Sequence, residues 1–400
     1  MPDPLESSRM HAAVHHIAFV LGLLAALAAV PLFMELLVLS LAAFASPPVP
    51  PLQQKLGSAR LAAVVPAHNE EKLVGDCVRS LLASDPAATV FVVAHNCDDA
   101  TALRAQDAGA TPLVLNDGLG GKGRALHFGF THALASGAKA VVVVDADSVV
   151  TPNLLPALAA RFAAGASALQ CRYQVSGAST PRTRLAALAF LGMNVLRPRG
   201  RHRLGLSCGI FGNGFALAAE TLRHVPYTAN SLVEDLEYHL HLLRAGLHVD
   251  FVDEAAVLGE MPEASAAAAT QRARWEGGRI LMRRQWAGSL ALQVISGRLQ
   301  MLEPLLDLLA FPLATEAALL AAALALGAVC HSAVLEGFSA LGLLTLVLYV
   351  AVAASLAPQP AESLRAVAAA PAFLFWKILQ IPRTRRAARA DAAWVRTGRN

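Results

Sequence analysis

Four consecutive valines, Val141 to Val144, run straight into Asp145-Ala146-Asp147-Ser148 within the tract 141–150 (VVVVDADSVV). A β-branched apolar run without polar alternation fits a strand buried on both faces of a parallel sheet. Such a sheet needs helices on both sides, and ligands meet it at the carboxyl ends of its strands. This strand delivers Asp145 and Asp147 to that end. Their i, i+2 spacing lets two carboxylates approach one point where the strand bends into a loop. Close carboxylates in apolar surroundings repel, and a divalent cation or a shared proton relieves the repulsion. Hard oxygen ligands suit Mg²⁺ or Mn²⁺, which commonly bridge phosphates. A D-x-D is common, however, and alone it reads equally as a strand end with solvated aspartates.

The flanking pattern repeats strand and helix. Residues 61–65 form an apolar strand ending in Pro66-Ala67-His68-Asn69-Glu70-Glu71, and Leu73, Val74, Val78, Leu81 and Leu82 follow at helical spacing. A second strand, 89–94, leads into His95-Asn96-Cys97-Asp98-Asp99, with a helix at 100–108 and a strand at 112–115. A glycine-rich loop, 118–123, carries Lys122 and opens a helix at 125–136. This alternation implies an α/β domain with a parallel sheet. Further on come a helix at 154–164, a strand at 168–175 and a helix at 184–196. The basic stretch Arg197-Pro198-Arg199-Gly200-Arg201-His202-Arg203 reads as a loop, either solvated or touching phosphates or lipid headgroups. Gly212-Asn213-Gly214 is a tight turn before a strand. Glu234-Asp235 opens a helix at 232–245, a strand follows at 249–252, and 267–285 is an arginine-rich helix.

Hydrophobic residues make up 55% of the 400, and the mean hydropathy of +0.48 is too high for an ordinary soluble chain. The excess lies at the two ends. Residues 14–45 are interrupted only by His15, His16, Glu35 and Ser40, and exceed the ~20 residues that span a bilayer. Ala43-Phe44-Ala45 resembles a signal-peptide cleavage site, but the run is far longer than an h-region of about 7–15 residues. An uncleaved membrane helix is expected, with Glu35 near its far end or facing another helix. The proline-rich stretch 47–57 reads as a stiff linker. Residues 304–330 and 338–356 are each long enough to span. Residues 367–381, broken by Pro371, read as an interfacial or re-entrant helix ahead of Arg383, Arg385, Arg386, Arg389, Arg396 and Arg399. Two C-terminal spans return these arginines to the side of the soluble centre, as the positive-inside rule requires if that side is the cytosol. The resulting organisation is a tail (1–13), a transmembrane helix (14–46), the linker (47–57), a cytosolic domain (58–302), two transmembrane helices (303–357) and an interfacial helix with a basic tail (358–400). The basic cluster points to a membrane surface and not to nucleic acid. Five scattered cysteines, without C-x-x-C, suit a reducing compartment.

Four pieces stand in order along the centre: VVPAHNEE at Val64–Glu71, DAD at Asp145–Asp147, ED at Glu234-Asp235 and QRARW at Gln271–Trp275. Together, between membrane segments, they resemble the family 2 glycosyltransferases, in particular membrane-embedded synthases related to cellulose, hyaluronan and poly-N-acetylglucosamine synthases. The resemblance covers roughly the whole soluble domain. It implies a GT-A fold, a UDP-sugar donor, Mg²⁺ or Mn²⁺, and a multi-pass protein of the cell (inner) membrane. By this resemblance Pro66, Ala67 and Glu70 cradle the uridine, Asp145 meets the nucleotide and Asp147 the metal. Asp235 is the general base. Glu234, Gln271, Arg274 and Trp275 serve the acceptor and the diphosphate. Lys122 reads either as a phosphate contact or as a surface lysine. His95 departs from the family, which often has a uracil-binding aspartate there; Asp99 matches a later aspartate of that loop.

The implied chemistry is a single inverting displacement, in which a carboxylate takes the proton of an attacking hydroxyl. The acceptor is a membrane-associated lipid or a growing polysaccharide, and few spans leave room for an export partner or an oligomer. A dinucleotide-dependent oxidoreductase would carry G-x-G-x-x-G after the first strand, where this chain has PAHNEE. A catalytically silent scaffold would have no need of the paired carboxylates.

Overall fold

The structure is a computed structural model that describes residues 4–44, 61–260 and 265–371. Among them eight strands form one sheet: β1 (Leu61–Ala67), β2 (Thr89–His95), β3 (Thr111–Leu115), β4 (Ala140–Val143), β5 (Ser148–Val150), β6 (Ala168–Ser176), β7 (Phe215–Ala218) and β8 (Val249–Glu260). Their order is β3-β2-β1-β4-β7-β6-β8-β5. β3, β2, β1 and β4 run parallel. β7 is antiparallel to both β4 and β6, β6 is parallel to β8, and β5 is antiparallel to β8.

The tract 141–150 is therefore split. Its valines form β4. Val144 to Asp147 then leave the sheet, and the Ser148 N–H donates to the Asp145 carbonyl at 3.0 Å, closing a turn. The rest becomes β5, paired with the far-edge neighbour β8. Three strands separate β4 from β5 in the order, so a short turn joins them only because the sheet curls, as twisted sheets do.

The chain opens with α1 (Pro4–Phe44). Four helices cover the first half of the sheet: α2 (Val74–Ser84), α3 (Thr101–Asp107), α4 (Lys122–Ala135) and α5 (Leu154–Ala163). Strand alternation divides the core between them. Leu61, Ala63 and Val65 of β1 pack with Val78 and Leu81 of α2 and Leu158 of α5. Ala62 and Val64 face the other way, onto Leu126 and Phe130 of α4. Both faces are thus buried, as the unalternating valines demand.

In the second half, α6 (Pro181–Leu191) starts at a capping box between Thr180 and Thr183, with Pro181 in the first turn. One π-helical turn, Gly192–Leu196, joins it to α7 (Arg197–Arg203). This corrects the expected basic loop. The segment is helical, and Arg197, Arg199 and Arg201 are only 5%, 8% and 5% exposed. They face neither water nor lipid headgroups, because carboxylates from distant segments meet them. After α8 (Ala219–His224) and α9 (Glu234–Arg244) comes α10 (Ser265–Ile295), longer than the expected 267–285.

A 3₁₀ turn (Leu299–Met301) leads to α11 (Leu302–Leu309), α12 (Leu313–Val329), α13 (Ala333–Ser355) and α14 (Pro360–Ala366). Among the described residues, two helices are long and apolar enough to cross a membrane, Met10–Phe44 and Ala333–Ser355. The span expected at 304–330 is not straight: Leu299–Leu309 and Leu313–Val329 meet at 84°. Pro312 sits in the break, and Glu303 and Asp307 before it are held by arginines of α7. Ala29, Leu32 and Leu36 of α1 pack with Leu320 of α12 and Leu346, Tyr349 and Val352 of α13. The linker 47–57, most of 367–381 and the six terminal arginines lie outside the described residues; 367–369 form one 3₁₀ turn.

Candidate active site

β1 lies between β2 and β4, so the strand order reverses at β1 and opens a crevice at the carboxyl ends. A cleft of about 540 Å³ occupies that place. Pro66, Ala67 and Glu70 line it from β1, His95 and Asn96 from β2, and Asp145 and Asp147 from the turn after β4. Asp99 does not line it. Its carboxylate accepts from the Glu71 N–H at 3.1 Å and the Thr101 N–H at 3.0 Å, stitching the first two loops together.

His95 is buried, and its Nε2–H donates to Asp117 Oδ1 at 3.1 Å. Arg124 donates to the other oxygen of Asp117 from Nε at 2.9 Å and from Nη2 at 2.6 Å. The Arg124 guanidinium, the Leu119 N–H and His95 together hold the Asp117 carboxyl far below the usual carboxylate range. Asn96 takes up a left-handed conformation (φ 51°). Its side chain donates to Leu119 O at 2.9 Å and accepts from the N–H groups of Asp117 and Gly118. The end of β2 therefore serves to pin the glycine-rich loop, and Asn96 and Asp117 are site components that the sequence reading did not single out.

Lys122, the first residue of α4, is no free surface lysine. It pairs with Asp145 and donates to Gly212 O at 2.7 Å. Burial works against its charge, but Asp145 and Glu234 outweigh that and keep the ammonium above its ordinary pKa. The Gly212-Asn213-Gly214 turn is part of the same structure. Asn213, fully buried, accepts from the Asp145 N–H at 3.1 Å and donates to Ser148 Oγ at 2.9 Å; Ser148 donates in turn to Asp147 Oδ1 at 3.1 Å. One asparagine thus orients both aspartates. Gly214 (φ 71°) has no room for a side chain, since a Cβ there would lie 2.6 Å from Cys171 Sγ. Gly214→Ala is expected to destabilise the fold by about 1–3 kcal/mol. A thermal unfolding curve that overlays the wild type would contradict this account of the turn.

Glu234 and Asp235 open α9 on the facing wall. A Cβ on Gly212 would stand 3.2 Å from Asp235 Oδ2 and 3.7 Å from Lys122 Nζ. Asp235, Lys122 and Asp145 therefore converge on one stretch of backbone. Burial pushes the Glu234 carboxyl up to about 7, with the Asp235 charge adding to the push and Lys122 opposing it. Burial also raises Asp235, against the Leu236 N–H and the Lys122 charge.

Gln271, Arg274 and Trp275 line the cleft from α10. The helix comes this close because residue 278 is glycine; a Cβ there would lie 2.6 Å from Val233 Cγ1, just before the acidic pair. Trp275 stands 6.4 Å from Phe190, whose ring meets Tyr173 edge-on at 4.8 Å. Tyr173 and Phe211 also line the cleft. Nothing in the sequence around them marks them out.

Among the described residues, no group of three or more His, Cys, Asp or Glu forms a ready-made metal cage. The carboxylate oxygens of Asp145 and Asp147 fit a hard cation such as Mg²⁺ or Mn²⁺.

The sequence profile described as glycosyltransferase like family 2 matches residues 59–278. Protein RfbJ of Shigella flexneri is 30% identical over 99 residues, which are 25% of this chain and 73% of that protein. The mannosyltransferase PcManGT from Pyrobaculum calidifontis, solved with GDP-mannose and Mn²⁺, superposes with a TM-score of 0.55 at 18% identity, over 94% of this chain and 97% of that one. The likeness extends through the apolar helices and is one of fold. The sheet, the cleft at its switch point and the matched profile together place this α/β chain in the glycosyltransferase-like family 2, with a GT-A-like fold.

Proposed function

We propose that this chain transfers a hexose from a nucleotide sugar, a UDP-sugar in the first instance, to a hydroxyl of a membrane-associated lipid or a growing polysaccharide, with inversion. The observation that carries the reading is the convergence of Asp235, Lys122 and Asp145 around Gly212. A nucleotide lying over Pro66 and Ala67 would bring its diphosphate to the Asp145–Lys122 pair. Asp235 then faces the sugar from the opposite wall, where it takes the proton of the incoming hydroxyl. Arg274 and Lys122 offer positive charge to the departing diphosphate. Asp147, with Asp145 beside it, would hold Mg²⁺ or Mn²⁺, which supplies further charge stabilisation to that leaving group. Gln271 and Trp275 shape the acceptor side. The catalytic domain is assigned to the cytosol and the apolar helices to the inner membrane, in the manner of the membrane-embedded polysaccharide synthases.

The raised acidic pair fixes the sign of the pH response. Asp235 accepts a proton only when ionised, and Glu234 beside it titrates near 7. The two titrate as a unit. Turnover is expected to rise with pH through an acid limb above the ordinary carboxylate range, because burial raises Asp235. A rate flat from about pH 5 to about pH 8 would contradict this assignment.

Membranes carrying the full chain, incubated with radiolabelled UDP-glucose, UDP-N-acetylglucosamine and GDP-mannose, with and without Mg²⁺, test the reading. Metal-dependent label in lipid or polymer supports it. Absence of both incorporation and nucleotide release from every donor counts against it.

A further inference from the structure

Six charged side chains from four helices meet away from the cleft, and the transfer chemistry uses none of them. Glu35 comes from α1, Arg197 and Arg201 from α7, Arg279 from α10, and Glu303 and Asp307 from α11. Arg197 Nε donates to Glu35 Oε1 at 3.1 Å, and Arg201 Nη2 donates to the same oxygen at 2.9 Å. Asp307 pairs with Arg197, with Arg201 at 3.1 Å and with Arg279 at 3.1 Å. Arg279 Nη2 also donates to the Asp307 backbone carbonyl at 2.6 Å. Arg201 Nε pairs with Glu303. Three cations thus balance three anions. The Glu35 side chain is 2% exposed, and those of Arg197 and Arg201 are 6% exposed.

Buried ion pairs add little net stability, because desolvation offsets their attraction. Packed apolar side chains of equal volume would hold these helices as firmly. What the pairs add is register. α10 also meets α9 and α11 through apolar side chains such as Leu240, Met282, Leu290 and Leu308, and through Trp286, which packs on His241 and under Arg244; among these contacts only the Asp307 pairing is charge-to-charge. Arg279 lies four residues after Trp275, one turn along the same face of α10. A guanidinium bonded to both the carboxylate and the carbonyl of Asp307 fixes the helix along its own axis.

We propose that this network is a positioning device. Asp307 and Arg279 set where α10 presents Gln271, Arg274 and Trp275 to the cleft, and Glu35 ties that register to the apolar helix α1. Seating of α1 is thereby coupled to the geometry of the acceptor side. The activity consequence rests on the glycosyltransferase reading; the coupling itself does not.

The test compares the full chain in lipid nanodiscs with Arg279→Gln, Arg279→Lys and Glu35→Gln. Hydrogen exchange over α10, UDP affinity, donor KM and transfer kcat are measured. Arg279→Gln is expected to speed exchange around residues 271–280 by about tenfold and to lower kcat by about 10- to 100-fold. UDP affinity and donor KM change far less than kcat, because Arg274 is only one of the groups proposed for the diphosphate and Lys122 stays paired with Asp145. Arg279→Lys recovers part of the loss by keeping the charge. Glu35→Gln, though remote from the cleft, acts in the same direction, and combining it with Arg279→Gln costs less than the sum. Unchanged exchange over α10 in both glutamine variants overturns the proposal. So does faster exchange throughout the sheet with a parallel loss of UDP affinity, which marks a role in folding alone. If the wild type neither binds nucleotide nor transfers sugar, the glycosyltransferase reading fails, and exchange over α10 still decides whether the network sets its register.

Discussion

Asp235→Asn should lower turnover by about 10²- to 10⁴-fold, the range that a positioned general base contributes. The substitution keeps the size of the side chain and an oxygen to accept the Leu236 N–H, which now donates to Asp235 at 2.9 Å. The helix start is thereby preserved, and what is lost is the proposed proton acceptor. Nucleotide affinity should change little, since Asp145 and Lys122 stay paired on the other wall. The neighbouring Glu234 responds as well. Its carboxyl is raised partly by the Asp235 charge, so neutralising Asp235 lets Glu234 ionise at lower pH. Calorimetric UDP titration beside kcat measurement separates the two effects. Near-normal turnover in Asp235→Asn would remove it from the base role.

Asp147→Asn is the second large effect, on the order of 10³-fold in turnover if the residue holds the cation. Its signature is conditional. UDP affinity should weaken in the presence of Mg²⁺ or Mn²⁺ and stay the same in chelator, because only the metal-bridged contribution is lost. The Ser148 hydroxyl that bonds Asp147 also bonds Asn213, so an asparagine here keeps a partner for the turn. If the variant retains the metal response of the wild type, the cation lies elsewhere. Asp145→Asn is expected to be broader in effect, since it also strips Lys122 of its ion pair and leaves an ammonium near Gly212 without its partner.

How much of this the sequence revealed depends on whether a feature is local. The parallel half of the sheet is legible because Val141 to Val144 and the strand at 61–65 lack alternation, and burial on both faces is the physical cause of that pattern. Pro66, Glu70, Asp145, Asp147, Asp235 and Gln271 reach one cleft because each follows a strand end or opens or lines a helix that packs there. Asn213 is legible only as part of a turn, because its role in the site depends on the curl that carries β7 beside β4, and no short-range signal encodes that curl. The arginines of 197–203 read as an exposed loop, solvated or touching phosphates or headgroups, for a similar reason. Their acidic partners lie at Glu35, Glu303 and Asp307, and the burial of a charge is decided by partners distant in sequence. The bend at Pro312 was hidden within a continuously apolar stretch, where composition measures length and not direction. His95 is the converse case. A departure from the family pattern was visible, while the Asp117 and Arg124 that hold its ring appeared only in three dimensions.

In the proposed reaction one cleft both activates a nucleotide sugar and supplies the base for its transfer. The most direct measurement is sugar transfer by the purified full chain in nanodiscs, with the nucleotide released counted beside the sugar incorporated, for wild type and Asp235→Asn. The account predicts metal-dependent transfer by the wild type, one nucleotide released for each sugar moved, and loss of both in the variant, with UDP binding intact. Equal transfer by the two proteins, or a wild type that binds UDP and moves no sugar to any lipid or polysaccharide, would contradict it.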